Sequence, residues 1–203
     1  MTLKNEVQLI VYPDSLGNDL VELHYVLRRY FDKAVGGVHL LPFYPSSADR
    51  GFAPLTDDEV DPAFGTWRDI NLIGREFDLI IDFMFNHISR KSIYFHDYFE
   101  KGSDSEFADM FLSFNKLSPT GEINEADLAK VYTRKPRPPY TIIQRAAGST
   151  EKVGCTFDYE QIDLDWDSPK TREVRRRHLI QLSRTPAKMI RMDAFAYSTF
   201  KLG

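Results

Sequence analysis

The stretch Met189-Ile190-Arg191-Met192-Asp193-Ala194-Phe195-Ala196-Tyr197 carries the pattern from which we predict the fold and the functional site of the chain. It is a short apolar run that Arg191 interrupts and that ends on Asp193. Neighbours two apart in a β-strand point to the same face, so we expect the Arg191 guanidinium and the Asp193 carboxylate to lie together. An edge strand carrying a surface ion pair is the alternative interpretation, and such a pair contributes little to stability.

Three similar apolar runs precede this stretch, and segments with helical spacing of apolar residues lie between the runs. Thr66 predicts the N-cap of the second helix, and Ser168-Pro169 predicts the start of the third. Strict alternation of strands and helices is typical of a parallel sheet covered by helices. The predicted strands are residues 7–12, 36–41, 78–87 and 189–192, the first of them buried on both faces, and the predicted helices are residues 20–31, 66–77 and 168–182.

This α/β pattern fits both a doubly wound sheet and a (β/α)8 barrel. In either fold, polar residues at the C-terminal ends of strands point to the active site. Residues 88–167 do not continue the alternation of strands and helices. They contain only short helical pieces, near residues 106–112 and 125–132. Because the segment is too long for a simple loop, we predict an inserted domain. No GxGxxG or Walker sequence is present, so the glycine fingerprint of a nucleotide-binding fold is missing.

Composition limits the classes of partner and location. The chain has 203 residues and a formal net charge of -4, which disfavours binding to nucleic acid or to an anionic membrane surface. Cys155 is the single cysteine, so no intrachain disulfide can form, as is common in a reducing compartment. The N-terminus does not resemble a signal peptide, and no run approaches the roughly 20 apolar residues of a membrane span. We expect a soluble cytoplasmic protein.

Polar side chains that could carry chemistry lie at the ends of the predicted strands or in the loops that follow them. A metal site is disfavoured because no histidine pair has HxH or HxxxH spacing. A sugar site fits better, since hydroxyl groups bind carboxylates and imidazoles, and nearby aromatic rings could cover the apolar sugar face, although each ring alone is more often part of a core. The polar candidates are Asp14, Asp49, Asp82, Asn86, His87, Arg191 and Asp193, and the rings are Phe52, Phe157, Phe195 and Tyr197.

Structural roles compete with functional ones at several of these positions. A histidine at a strand end, such as His87, is usually structural, and His39 is expected in the core. Asp82 lies within an apolar run and must be hydrogen-bonded, because an unpaired buried carboxylate is costly. The cationic run Arg134-Lys135-Pro136-Arg137 is either a solvated surface or an anion site, since guanidinium groups suit phosphate.

Several motifs resemble those of one enzyme superfamily. Asp82-Phe83-Met84-Phe85-Asn86-His87 and Arg191-Met192-Asp193-Ala194 resemble the first and second conserved regions of the α-amylase superfamily, glycoside hydrolase family 13. Gly37-Val38-His39-Leu40-Leu41-Pro42 resembles its second-strand motif, and Gln161-Ile162-Asp163-Leu164-Asp165 its motif late in the inserted B domain. Segments 13–17, 46–54, 86–92 and 193–197 narrow the resemblance to sucrose phosphorylase-type enzymes.

The resemblance implies the N-terminal half, about four βα units, of a TIM (β/α)8 barrel with a B domain inserted after the third strand. Residues 1–87 would start the catalytic domain, residues 88–167 would form the B domain, and residues 168–203 would continue the barrel through its fourth strand. Such enzymes use a glutamate on the fifth strand as acid/base, and that residue is absent from this chain. We therefore expect the 203 residues alone to be inactive and poorly folded.

The implied activity is that of a retaining glycoside phosphorylase, a glucosyltransferase that converts sucrose and phosphate into α-glucose 1-phosphate and fructose. Alternatives are a phosphorylase for sucrose 6'-phosphate, glucosylglycerol or glucosylglycerate, an α-glucoside hydrolase, or an inactive truncated remnant. The partners would be a sugar donor and inorganic phosphate, without nucleic acid or membrane. No metal or organic cofactor is implied, and a homodimer is possible for the full-length enzyme.

The resemblance also implies roles for individual residues. Asp193 would be the nucleophile, and Arg191 would hold it ionised and oriented. Asp49 and His87 would bind glucose hydroxyls, between the rings of Phe52 and Phe157. The remaining candidates are Gln161 and Tyr197, which would line the site, and Arg134 or Arg137, one of which would meet phosphate.

Overall fold

The computed structural model describes residues 3–118, 120–131, 133, 136–145 and 148–199. The chain forms two compact units, the first of residues 1–83 and 176–193 and the second of residues 84–175 and 194–203. The predicted division into a barrel domain and an inserted domain, with borders after residues 87 and 167, stays a prediction. In chain order the elements are β1 (Gln8–Val11), α1 (Leu20–Val26), β2 (Gly37–Leu40), α2 (Trp67–Glu76), β3 (Asp78–Met84), β4 (His87–Ser89), α3 (Ile93–Lys101), α4 (Phe114–Leu117), α5 (Glu125–Leu128), β5 (Tyr140–Gln144), β6 (Thr150–Gly154), β7 (Gln161–Asp163), α6 (Pro169–Ser183) and β8 (Met189–Asp193).

A four-stranded sheet in the order β1-β2-β3-β8 organises the first unit. β1 pairs with β2 and β2 with β3 in parallel, with Gln8 opposite Gly37 and Gly37 opposite Asp78. β8 is the fourth predicted strand, so each strand lies beside the next one predicted along the chain. This sequential order is that of a (β/α)8 barrel, since a doubly wound sheet reverses its order at a switch point. The sheet and its helices confirm the predicted N-terminal half of a barrel.

β1 and β8 are the outer strands of this sheet, and both expose apolar side chains. Ile10 of β1 is 63% exposed, and Met189 of β8 is 42% exposed. The prediction that the first strand is buried on both faces is therefore wrong. Within the described residues β1 pairs with a strand on one side only, so part of its surface is exposed. The inner strand β2 is buried along its whole length.

The helices begin where the sequence places caps. The side chain of Asp19 accepts a hydrogen bond from the Glu22 amide at 2.8 Å and starts α1. The side chains of Thr66 and Asp69 form a capping box at the start of α2, which confirms the predicted N-cap. The first predicted helix is shorter than expected, since the α-helix ends at Val26 and residues 27–31 form a wider π-helical turn.

The second unit is built from two antiparallel strand pairs, β4 with β7 and β5 with β6, around an apolar core. β3 ends at Met84 and His87 begins the separate strand β4, so the prediction of one strand through His87 is wrong. The two predicted helical pieces are only a 3-10 turn at Ala108–Met110 and the short helix α5. No helix within the described ranges is long and apolar enough to cross a membrane.

Candidate active site

The predicted ion pair at the end of β8 is present in the first unit. Arg191 Nη2 lies 2.9 Å from Asp193 Oδ1, and the Asp193 side chain is only 17% exposed. The two residues share one face of the strand, as the period of two predicts. The carboxylate is therefore held by a guanidinium at the C-terminal end of a strand.

Asp82 of β3 ties this pair to the rest of the sheet. It is fully buried, and its Oδ1 accepts a hydrogen bond from Arg191 Nη1 while its Oδ2 lies 2.8 Å from His39 Nε2. The Tyr44 hydroxyl donates to the main-chain oxygen of Asp82 at 2.9 Å. The expectation that Asp82 is hydrogen-bonded is confirmed. His39 is buried as expected, but it is a polar partner of Asp82 as well as a core residue.

Burial raises the pKa of the Asp193 carboxyl group above its ordinary value. The Arg191 guanidinium opposes this shift, whereas the neighbouring carboxylates of Asp82 and Asp49 reinforce it. Burial outweighs the guanidinium, so the net shift of the Asp193 pKa is upward, and the role of Arg191 in holding Asp193 ionised stays a prediction. Any loss of the Arg191 contact should raise the pKa of Asp193 further.

Asp49 lies on a strained turn after β2. Asp49 and Arg50 have φ angles of 54° and 49°, in the left-handed region that costs a residue with a side chain about 1 kcal/mol or more. Arg50 Nη2 donates to Asp14 Oδ1 at 2.7 Å, and its guanidinium lies 3.9 Å from the centre of the Tyr12 ring. The turn lines a cavity of about 320 Å³. Phe52, predicted to bind the sugar face, follows the turn and is partly buried.

The second unit brings together four other predicted residues. Gln161 Nε2 lies 3.2 Å from His87 Nε2, because the antiparallel pairing of β7 with β4 places their side chains on one face. The Phe157 ring lies 5.4 Å from the His87 ring and packs edge-on against Tyr197 at 5.0 Å. His87 and Gln161 are buried, whereas Tyr197 is 37% exposed. An imidazole, an amide and two aromatic rings are groups suited to a sugar.

Two arginines are candidates to bind phosphate, and the structure describes one of them, Arg137. Arg134 lies outside the described residues. Arg137 Nη1 lies 3.4 Å from the buried Cys155 Sγ, and the guanidinium lies 4.3 Å from the Tyr159 ring centre. Arg137 Nη2 is buried without a hydrogen-bond partner among the described residues. Burial raises the pKa of the Cys155 thiol to about 11, against the opposing effect of Arg137.

Asp163 is a buried carboxylate that the sequence analysis did not single out. It is 3% exposed and accepts hydrogen bonds from Asn86 Nδ2 at 2.7 Å and from the Thr156 amide at 2.8 Å and hydroxyl at 2.7 Å. Burial raises its pKa to about 6 despite these donors. Within the described ranges, no group of three or more His, Cys, Asp or Glu side chains is arranged to hold a metal ion.

This raised pKa predicts a pH dependence of stability. The folded chain binds the Asp163 proton more tightly than the unfolded chain, whose ordinary pKa is about 3.9, so this carboxyl favours folding most below pH 4. Its contribution falls as the pH rises from about 4 to about 6, by up to about 3 kcal/mol. We expect Asp163→Asn to remove that slope from the free energy of unfolding, measured by urea denaturation across this range.

The Asn86 side chain makes this variant a mild one. Asn86 Oδ1 is buried without a partner among the described residues. Rotation of the Asn86 side-chain amide by 180° would exchange its oxygen and nitrogen, and Oδ1 could then accept a hydrogen bond from the amide introduced at position 163. Equal slopes for wild type and Asp163→Asn between pH 4 and pH 7 would contradict the shifted pKa. Asp158→Asn, a nearby less buried change, is the control and should keep the slope.

Comparison with known proteins identifies relatives of this chain. No protein-family model matches it. It is 46% identical over 207 residues to sucrose 6(F)-phosphate phosphorylase of Thermoanaerobacterium thermosaccharolyticum, 46% identical over 202 residues to sucrose phosphorylase of Streptococcus mutans and 42% identical over 203 residues to glucosylglycerol phosphorylase of Marinobacter adhaerens. Each match covers 100% of this chain but only 42% of the relative.

Solved structures agree with the sequence relatives. The crystal structure of sucrose 6F-phosphate phosphorylase from Thermoanaerobacter thermosaccharolyticum superposes with a TM-score of 0.95, over 100% of this chain and 42% of that one. Isomaltulose synthase from Erwinia rhapontici NX5, 20% identical, superposes with a TM-score of 0.77 over 98% of this chain and 37% of that one, which shows the fold alone. The chain is therefore similar over its whole length to sucrose phosphorylase-type enzymes, and it spans about two fifths of the length of these relatives.

Proposed function

We propose that the native polypeptide carrying residues 1–203 is a retaining glycoside phosphorylase with Asp193 as its nucleophile. The observation that carries this proposal is the Asp82–Arg191–Asp193 arrangement, which fixes a partly buried carboxylate at the C-terminal end of a barrel strand. Catalytic residues of (β/α)8 barrels occupy this position. The phosphorylase relatives, all matched over the whole of this chain, support the reaction type.

In this mechanism Asp193 attacks the anomeric carbon of an α-glucoside while a carboxylic acid protonates the departing glycosidic oxygen. A β-glucosyl ester with Asp193 forms and the leaving group departs as an alcohol. A phosphate oxygen then attacks the same carbon, breaks the ester and gives α-glucose 1-phosphate, with the configuration retained. Two inversions explain retention, and phosphate takes the place that water has in a hydrolase.

The acid/base is the remaining part of this mechanism. Retaining enzymes hold their two carboxyl groups about 5 to 5.5 Å apart. Asp82 is fully buried and bound by Arg191 and His39, so it cannot protonate a leaving group. We propose that a glutamate outside these 203 residues is the acid/base.

The other predicted residues would hold the glucosyl group and the phosphate. Asp49 and His87 are proposed to bind glucose hydroxyls, because a carboxylate and an imidazole both accept hydrogen bonds from them. Phe52 and Phe157 would contact the apolar sugar face, and Gln161 and Tyr197 would line the site. Arg137 or Arg134 would bind phosphate. The Nη2 of Arg137, buried and without a partner in the part of the chain that the structure describes, supports the former.

Sucrose is the proposed donor and fructose the leaving group. A phosphorylase for sucrose 6'-phosphate is the second candidate, favoured by one specific observation: the relative that acts on it is as similar to this chain as the sucrose phosphorylase, at 46% identity each. Glucosylglycerol and glucosylglycerate phosphorolysis, α-glucoside hydrolysis and a non-catalytic remnant are the remaining alternatives. A cytoplasmic location and a homodimer also stay predictions.

The proposal is tested by incubating the native polypeptide with each donor, with and without phosphate, and measuring α-glucose 1-phosphate. We expect phosphate-dependent product from sucrose, and none from residues 1–203 expressed alone, since the proposed acid/base lies outside them. A preference for another donor would change the proposed substrate and leave the proposed reaction type unchanged. Equal glucose release with and without phosphate would show a hydrolase, and failure with every donor would contradict the proposal.

A further inference from the structure

Arg191 divides its two terminal nitrogens between two carboxylates. Its Nη1 donates to Asp82 Oδ1, and its Nη2 lies 2.9 Å from Asp193 Oδ1. The second oxygen of Asp82 is occupied by a different donor, His39 Nε2, at 2.8 Å. Asp82 therefore needs only one nitrogen of Arg191, and the other remains available to Asp193.

His39 reaches Asp82 because of the register of the sheet. His39 of β2 lies opposite Ile80 of β3, and Asp82 follows Ile80 by two residues on the same face. The His39 side chain is 11% exposed and that of Asp82 is fully buried, so water competes poorly for this hydrogen bond. An ionised Asp82 has no proton to give, so the contact requires the Nε2–H form of His39.

Without His39, the buried Oδ2 of Asp82 would lack this donor. A buried carboxylate oxygen left unsatisfied is costly, and Arg191 is the strong donor already in contact with Asp82. The planar guanidinium fork matches a carboxylate in a two-bond arrangement, which is stronger than a single contact. Arg191 would then turn both terminal nitrogens toward Asp82 and withdraw Nη2 from Asp193.

We infer that His39 is a positioning residue for Asp193: by satisfying the second oxygen of Asp82, it keeps Arg191 divided between the two carboxylates. This inference rests on the proposed function, in which Asp193 is the nucleophile. The charged and titratable groups facing this assembly are His39 on β2, Asp49 after β2, Asp82 on β3 and Arg191 on β8. Because Arg191 is the group that opposes the raised pKa of Asp193, its withdrawal would raise that pKa further and misorient the carboxylate.

The test compares His39→Met with His39→Gln in the native polypeptide. Met fills the space without a donor, whereas the Gln side-chain nitrogen can reach the position of Nε2. We expect His39→Met to lower kcat by about 10²-fold, as misplacement of a reacting group by about 1 Å does. The acidic limb of its kcat/KM profile should move to higher pH, while His39→Gln keeps the wild-type limb and most of kcat.

A purely structural role would change the melting temperature without separating these two pH profiles. If His39→Met does not fold, His39→Asn, which is too short to reach Asp82, should show the same loss and the same shift. Wild-type kcat and pH profile in the folded donor-free variants would overturn the inference. Asp193→Asn, assayed in parallel, distinguishes the two failures: normal turnover there would instead overturn the proposed function.

Discussion

Replacing Asp193 with Asn in the native polypeptide is expected to lower kcat by about 10⁴-fold or more, as loss of a nucleophile does in enzymes that form covalent intermediates. The amide cannot attack the anomeric carbon, but it is nearly the same size as the carboxylate and can still accept a hydrogen bond from Arg191. Binding of the donor should therefore change much less than turnover. Steady-state phosphorolysis and the melting temperature are the measurements.

Asp32→Asn is the matched control for this prediction. Asp32 is an exposed carboxylate of the first unit, in the connection that leads from α1 into the N-terminal end of β2. The control should keep wild-type kcat, since it changes charge by the same amount without touching the site. An Asp193→Asn enzyme within about tenfold of wild type, folded and free of deamidation, would remove Asp193 from the nucleophile position.

Replacing Asp82 with Asn is expected to destabilise the protein by about 3 kcal/mol, near the low end of the cost of breaking a buried ion pair. The new side chain is neutral, so the Arg191 guanidinium loses its buried counter-charge, and the amide nitrogen can be satisfied only if it faces His39 and that imidazole changes tautomer to accept. The estimate is at the low end because Arg191 is 45% exposed and can be partly hydrated. Urea denaturation at neutral pH measures the change.

The ion pair of Asp14 with Arg50 offers a matched control for Asp82. It is also an aspartate–arginine pair in the first unit, but its side chains are 39% and 60% exposed. Asp14→Asn should therefore cost less than about 1 kcal/mol. If the two substitutions destabilise the protein equally, the buried pair does not contribute what its burial predicts.

Local rules predicted much of the first unit from sequence. The alternation of apolar runs and helical spacing places the four strands, and the period of two predicts that Arg191 and Asp193 meet. Thr66 marks a helix start because the capping box needs only residues three apart. The turn of residues 27–31 was missed, since a change in helical hydrogen bonding leaves no clear mark in the apolar pattern.

Contacts between distant residues were harder to predict. His39 was expected only in the core because its partner Asp82 is 43 residues away, although strand register would place them on one face. The hairpin of β5 and β6 is a local contact, and it was missed because β6 is mostly polar and gives little apolar alternation. The contact between His87 and Gln161, 74 residues apart, was not predicted; the family resemblance gave each residue a role at the sugar site, and physical rules applied to the residues gave neither.

The covalent intermediate tests the central proposal most directly. The native polypeptide is mixed with α-glucosyl fluoride in the absence of phosphate, quenched in acid and digested, and its peptides are weighed by mass spectrometry. Fluoride takes the place of the natural leaving group, so the experiment reports transfer of glucose to the enzyme whichever of the candidate donors is the natural one. We predict one anhydroglucose unit on Asp193, lost when phosphate is added before the quench with formation of α-glucose 1-phosphate. Glucosylation of a different carboxylate would contradict the proposal. So would the absence of any adduct together with a product of inverted anomeric configuration, β-glucose 1-phosphate.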